Sequence, residues 1–429
     1  LILKIPPHPF TLPFNVLSQV LPNGMKVFVV QVPASRVASI SLVIRAGSSA
    51  EHAHEAGGLH FLEHMLFCGT KRRKNTHELT RTIERLGALL DAETSKEDTT
   101  YSVRTPISHL EASCDLIADM FFDSTLPVAS VNRERSVILE ELADDVDDIG
   151  WHCSQLLERM LFGNNPLSRS VIGERKTIEQ FTRASLIGLK EKWYQPSNTF
   201  LVATGPLDAS FFDIAHRYFG RGKPSKVTPP RLKPSPSRSR FSSKEIPRDR
   251  ATIRVGFPIP GYGKVPEPEL VLAEMILGRS SYSRLDQCLR LKQGLAYSYD
   301  CGRIVYRSCG YEEVATEVAP LKVPQVLDTV IDCLSKFARK GVTRSELTDA
   351  KSCAVGRAIL GTESCFDLAD FACDEILTHG SVVHPEEIVA SLQAVTLDRL
   401  NGVIRDVFDI SRCKIAVVGG LPSRLESPL

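Results

Sequence analysis

Two rhythms of apolar positions alternate along the first half of the chain. Residues 25–31 and 37–45 are runs rich in Val, Ile and Ser that predict strands, and Asn23-Gly24 before the first predicts a hairpin turn. Leu59, Phe61, Leu62, Met65, Leu66 and Phe67 then crowd into nine positions, which predicts a buried helix. Leu79, Ile83 and Leu86 recur at three- and four-residue steps, the stripe of an amphipathic helix, with Asn75 and Glu78 placed to cap it. Strands are expected over 89–94 and 99–104, helices over 108–122, 132–148, 151–162 and 178–194, and a strand over 199–204. Residues 1–14, apolar and Pro-rich, read as an extended arm.

The pattern breaks at 221–244, which holds five prolines, eight basic residues and no acid; no packed element fits there, and it reads as a linker. Beyond it the first half is repeated with an offset of about 214 residues. Residues 196–207 pair with 410–421, and the strand ending at Pro106 pairs with one ending at Pro320. Strands, hairpins and long helices in each half imply an α+β fold of two homologous domains, 1–220 and 245–429. Each is expected to be a mostly antiparallel sheet with helices packed on one face.

A chain of 429 residues with 43% hydrophobic and 24% charged positions has ordinary globular composition. With Lys+Arg 52 against Asp+Glu 51, nothing favours nucleic acid or a membrane surface, and no apolar run reaches the ~18 residues of a membrane span. The 11 Cys are scattered and form no C-x-x-C, which points to free thiols in a reducing compartment rather than to a disulfide framework.

The chemistry lies in the apolar block. His60, Glu63 and His64 form H-x-x-E-H, and helical geometry puts the two imidazoles one turn apart on one face, with Glu63 on the same side. Such a pair can share a Zn²⁺, and a neighbouring carboxylate can take a proton from water. A catalytic zinc needs a third protein ligand. Residues 132–142 carry Glu134 and Glu141, seven apart on one helical face with Ile138 between them, but periodicity alone does not choose between Glu140 and Glu141. His52 and His54 lack the spacing of four residues and read as loop histidines. In the second half, Val271 and Met275 stand where His60 and His64 would fall, so the repeat keeps the fold and loses the metal.

H-x-x-E-H followed, after 76 residues, by Glu resembles the pitrilysin/insulinase family of zinc peptidases. The closest likeness is to its short branch, which includes mitochondrial processing peptidase and bacterial relatives. Residues 87–95 resemble the family's Gly-rich strand, and Arg290-x-x-x-Gly294-Leu295-x-Tyr297 its R-x-x-x-G-L-x-Y signature. The resemblance implies one Zn²⁺ per chain on His60, His64 and Glu141, Glu63 as general base, and Glu134 as an assisting glutamate. It implies that Arg290 and Tyr297 reach the site from the metal-free half when the halves close like a clam. It also implies that an extended peptide substrate adds to the edge strand at Leu90, Asp91, Ala92, Glu93 and Thr94, though Asp91 stands where the family usually has Asn. Trp151 and Gln155 lie near where processing peptidase carries the acids that read a presequence arginine, which weakens that narrower assignment. A homodimer, or a heterodimer with a related subunit, is expected, in a bacterial-type cytoplasm or alternatively the mitochondrial matrix. The competing reading is a non-catalytic subunit of the same fold, against which the intact motif argues.

Overall fold

The computed structural model describes residues 15–230, 232–422 and 425–429; the arm expected over 1–14 lies outside them. The first half contributes strands β1 (Asn15–Val20), β2 (Lys26–Gln31), β3 (Val37–Ile44), β4 (Leu89–Thr94), β5 (Thr99–Pro106) and β6 (Thr199–Gly205). Its helices are α1 (Gly58–Leu66), α2 (Thr76–Arg85), α3 (Leu110–Asp123), α4 (Val128–Asp147), α5 (Ile149–Phe162), α6 (Arg175–Gln180), α7 (Arg183–Trp193) and α8 (Phe211–Phe219). The second half contributes β7 (Phe241–Glu245), β8 (Ala251–Pro260), β9 (Tyr299–Val305), β10 (Cys309–Val318) and β11 (Lys414–Gly419). With them run α9 (Glu267–Glu274), α10 (Val323–Lys340), α11 (Arg344–Leu360), α12 (Cys365–His379), α13 (Pro385–Ala394) and α14 (Leu397–Val407).

The strands form two sheets, ordered β1-β2-β6-β3-β5-β4 and β7-β11-β8-β10-β9. Without β1, the first order maps onto the second strand for strand. The parallel pair β2–β6 recurs as β7–β11, and the other pairs are antiparallel in both. The pairing of Val27 with Leu201 recurs as Phe241 with Ile415. The internal repeat is therefore a repeat of topology and, in this ladder, of register.

Two expectations are corrected. Residues 178–194 are two helices, because Thr182 caps α7 by accepting from the N–H of Ser185 while Phe181 is extended. The basic segment 221–244 is not element-free, since residues from Phe241 onward form β7 beside β11. Its polar, partly exposed residues pair at a sheet edge, where little apolar surface is required.

Apart from α5 and α12, the helices of each half gather on one face of its own sheet. In the first, Ile40, Leu42, Tyr101 and Leu201 meet α1, α3, α7 and α8. The opposite face receives a helix from the other half. Leu368, Ala372, Cys373 and Ile376 of α12 cover Phe28, Val30, Val43, Phe200 and Val202 of the first sheet. Cys153, Leu157 and Leu161 of α5 cover Tyr311, Ala416 and Val418 of the second.

Candidate metal centre

Helix α1 begins at Gly57, whose φ of +87° is a left-handed conformation that favours glycine. A Cβ there would lie 2.3 Å from the carbonyl oxygen of Ile172. The first N–H groups of the helix would be orphaned in the core. Instead the buried Glu51 accepts from Gly57 N (2.9 Å) and Leu59 N (2.6 Å). Burial pushes its carboxyl up to about 8, against the pull of these two donors and of Arg169. The apolar side of α1, Leu59, Phe61, Leu62, Met65 and Leu66, is fully packed, which holds the helix against rotation.

That leaves His60 and His64 turned toward α4. Their ring centroids are 4.8 Å apart. Glu141 Oε2 lies 3.9 Å from His60 Nε2 and 3.5 Å from His64 Nε2. One ligand atom from each of the three lies within 4.8 Å of the other two, and this is the one such cluster of His, Cys, Asp or Glu among the described residues. Glu134 Oε2 is 3.5 Å from His64 Nδ1, the nitrogen turned away from Glu141. A carboxylate at that nitrogen favours the tautomer whose Nε2 lone pair faces the cluster. Ile138, between the two acids on α4, is fully buried and fixes the face they share.

His60 is held neutral, its pKa lowered to about 4 by burial and then by His64. The set of two imidazoles and one carboxylate, converging within this span, suits Zn²⁺ in its usual coordination. Glu140, beside Glu141 on the helix, belongs to no such cluster. His52 and His54 stack on one another 5.7 Å apart in the short turn before α1 and likewise belong to none among the described residues.

Glu63 is buried beside the pair and accepts a 2.5 Å hydrogen bond from Thr94 Oγ1. Burial raises its pKa, and Thr94 and His64 oppose the shift. Thr94 ends β4, which is the last strand of its sheet and leaves one backbone edge unpaired. Leu90, Ala92 and Thr94 turn inward along β4 while Leu89, Asp91 and Glu93 are exposed, so the Thr94 hydroxyl serves Glu63 rather than the open edge. Asp91 accepts from the N–H of Ala92.

Arg290 and Tyr297 are not brought into this cluster. Arg290 lies over the Tyr297 ring (5.9 Å) and 3.9 Å from Asp286, and Tyr297 is 86% exposed. Neither has a hydrogen bond or ion pair to His60, Glu63, His64 or Glu141 among the described residues. In the second half Glu274, at the position of Glu63, is fully buried and ion-paired with Arg279 and Arg303, with no histidine beside it.

Sequence reasoning missed five neighbours. Glu51 carried no motif, only an acid shortly before a Gly-Gly helix start. The Cys68 thiol, one turn past His64, donates to Glu134 Oε1 (3.4 Å), and Arg133 donates to the same oxygen (3.0 Å). The hydroxyls of Tyr101 and Tyr194 bond each other, 2.9 Å apart, under the site, and neither has any local signature.

A helix-borne pair of histidines, a glutamate from a second helix and a buried carboxylate make up the inverted His-x-x-Glu-His arrangement that metal-dependent peptide hydrolases use. Comparison with known proteins agrees. Residues 26–175 match the insulinase family (peptidase family M16), and residues 180–352 match the peptidase M16 inactive domain. An uncharacterized zinc protease of Mycobacterium tuberculosis is 30% identical over 417 residues, covering 95% of this chain and 94% of its own. One of Bacillus subtilis is 29% identical over 414 residues, covering 94% and 98%. The mitochondrial-processing peptidase subunit beta of Caenorhabditis elegans is 26% identical over 434 residues, covering 97% and 92%. The crystal structure of a protease from Helicobacter pylori shares the fold with a TM-score of 0.87 at 20% identity, over 94% of this chain and 99% of that one. The chain belongs to the insulinase (M16) family of peptidases. No helix among the described residues is long and apolar enough to cross a membrane.

Proposed function

We propose that the protein is a zinc metalloendopeptidase acting on extended peptides or presequences. The observation that carries this is the convergence of His60, His64 and Glu141 within 4.8 Å, with the buried Glu63 beside them. One Zn²⁺ per chain, held by those three residues, would supply Lewis acidity to the scissile carbonyl and to water. Glu63 takes the proton of the attacking water and delivers it to the leaving amine. Burial raises its pKa, the direction that favours keeping the proton until the amine leaves. Glu134 holds the His64 ring in place. The unpaired edge of β4 accepts the peptide as an added strand, which delivers its backbone to the end where Thr94 meets Glu63. Arg290 and Tyr297 supply donors to the substrate backbone or the tetrahedral oxyanion once the halves close.

The relatives' names, zinc protease and processing-peptidase subunit, support the metal and the peptide substrate. The subunit name also supports assembly as a homodimer or with a related chain. The location belongs to the same proposal: a bacterial-type cytoplasm or the mitochondrial matrix. The test is metal removal. Chelator-treated protein should stop cleaving an unstructured peptide and recover on addition of one equivalent of zinc. Cleavage that persists in metal-free protein contradicts the reading.

A further inference from the structure

The orientation of Glu63 depends on one hydroxyl. Among the described residues its side chain has a single hydrogen-bond partner, Thr94, whose Oγ1 donates to Oε2 at 2.5 Å. Oε1 has none.

Thr94 can hold that carboxylate in place because everything behind it is fixed. It ends β4 opposite Thr99 of β5, and both threonines are buried. Thr99 donates its own proton to the Ala46 carbonyl oxygen (2.9 Å), so toward Thr94 Oγ1, 3.5 Å away, it can only accept. The shorter bond, to a carboxylate, has the stronger claim on the Thr94 proton. The turn that follows is locked. The Ser95 N–H donates to the Asp98 carbonyl oxygen, and the Ser95 hydroxyl donates to the Asp98 carboxylate (2.7 Å). The N–H groups of Ser48 and Ser49 then tie the Ser95 and Lys96 carbonyl oxygens to the segment before α1.

The metal-free half holds the corresponding carboxylate by other means. Glu274 is ion-paired with Arg303 of β9, the counterpart of β4, and with Arg279. A guanidinium opposes proton uptake by the carboxylate it holds. A neutral hydroxyl orients a carboxylate and leaves it able to take a proton, which is what a general base needs.

We propose, on the reading of Glu63 as the base, that Thr94 is its positioning residue: the hydroxyl fixes Oε2 so that Oε1 addresses the attacking water. The Thr94 side chain then acts through Glu63 and is not a substrate contact. Only its backbone belongs to the edge that takes the peptide.

The experiment measures cleavage of an extended peptide by the full-length, zinc-loaded chain, with all variants compared at equal, measured zinc content. Thr94→Val and Thr94→Ala should each lower kcat at least about tenfold while KM stays within about twofold, because the loss falls on the reacting geometry and not on binding. Thr94→Ser keeps the hydroxyl and should bring kcat back to within about threefold of wild type. In a Glu63→Gln background, adding Thr94→Val should lower kcat by less than about twofold more, because the group that Thr94 positions is already disabled. An equal loss in both backgrounds marks a general structural defect and overturns the proposal. So does a raised KM with unchanged kcat, which makes Thr94 a substrate contact, and so does a Thr94→Val enzyme with wild-type kcat. A fully active Glu63→Gln removes the base itself and the proposal with it, so the single variants tell the two failures apart.

Discussion

Glu51 and Glu141 do different work on the same pair of histidines, and each can be tested alone. Glu141 lies within 3.9 Å of both imidazole Nε2 atoms, while Glu140 belongs to no metal-binding cluster among the described residues. Glu141→Gln should therefore weaken zinc binding by at least about tenfold more than Glu140→Gln, measured by competition with a chromogenic chelator. Glu51 acts through the helix. Losing one of its two acceptor oxygens should lower stability by about 1–3 kcal/mol in Glu51→Gln, the cost of a buried unsatisfied N–H donor. The effect should depend on pH. The folded-state pKa is raised from the ordinary 4.5 to about 8, so the folded state binds this proton more tightly. Stability from the group is thus fully present below about pH 4.5 and is lost as pH rises toward 8. The melting-temperature gap between wild type and Glu51→Gln should be smaller at about pH 8.5 than at about pH 6.

At the scale of elements, periodicity located α1, α2, α4 and α5 and most strands, because each shows its apolar face in its own residues. It did not find the break at Phe181, where a local cap outweighs a continuous apolar pattern, nor β7, which pairs through its backbone. H-x-x-E-H was legible because four-residue spacing is itself helix geometry. Cys68 and the Tyr101–Tyr194 pair were not, because their partners are distant in sequence, and Glu51 was not, because a carboxylate six and eight residues before the N–H groups it caps matches no capping motif. The destination of α12 was equally hidden, since an amphipathic pattern announces a buried face without saying which sheet covers it. Its contribution can be weighed. Leu368 and Ile376, which α12 buries on the first sheet, are each worth about 1.5–3 kcal/mol, whereas the exposed Arg104–Asp370 ion pair beside them is worth at most about 1. Ile376→Ala should therefore lower global stability by about 2–5 kcal/mol by chemical denaturation. Asp370→Asn should change it by less than about 1 kcal/mol.

For the whole molecule, the exchange of α5 and α12 means that the two halves are not independent folding units. A fragment ending near Gly220 holds every metal ligand and Glu63, yet it exposes Phe28, Val30, Val43, Phe200 and Val202 where α12 belongs. It also leaves the apolar face of α5 without its sheet. Each half expressed alone should aggregate or fail to show a cooperative unfolding transition. Co-expression of both should restore a soluble complex that binds one zinc. A first half that folds alone and binds zinc with unchanged affinity would show that the exchanged helices are dispensable.

The central claim is that the His60–His64–Glu141 centre hydrolyses peptides with Glu63 moving the proton. The most direct measurement is the turnover of an extended peptide by wild type and Glu63→Gln, compared at equal, measured zinc content. The amide keeps the shape and can still accept from Thr94, but it cannot take a proton from water. The account predicts one zinc per chain in both proteins and a kcat for Glu63→Gln lower by about 10²–10⁴-fold. Equal zinc content with unchanged turnover would contradict it.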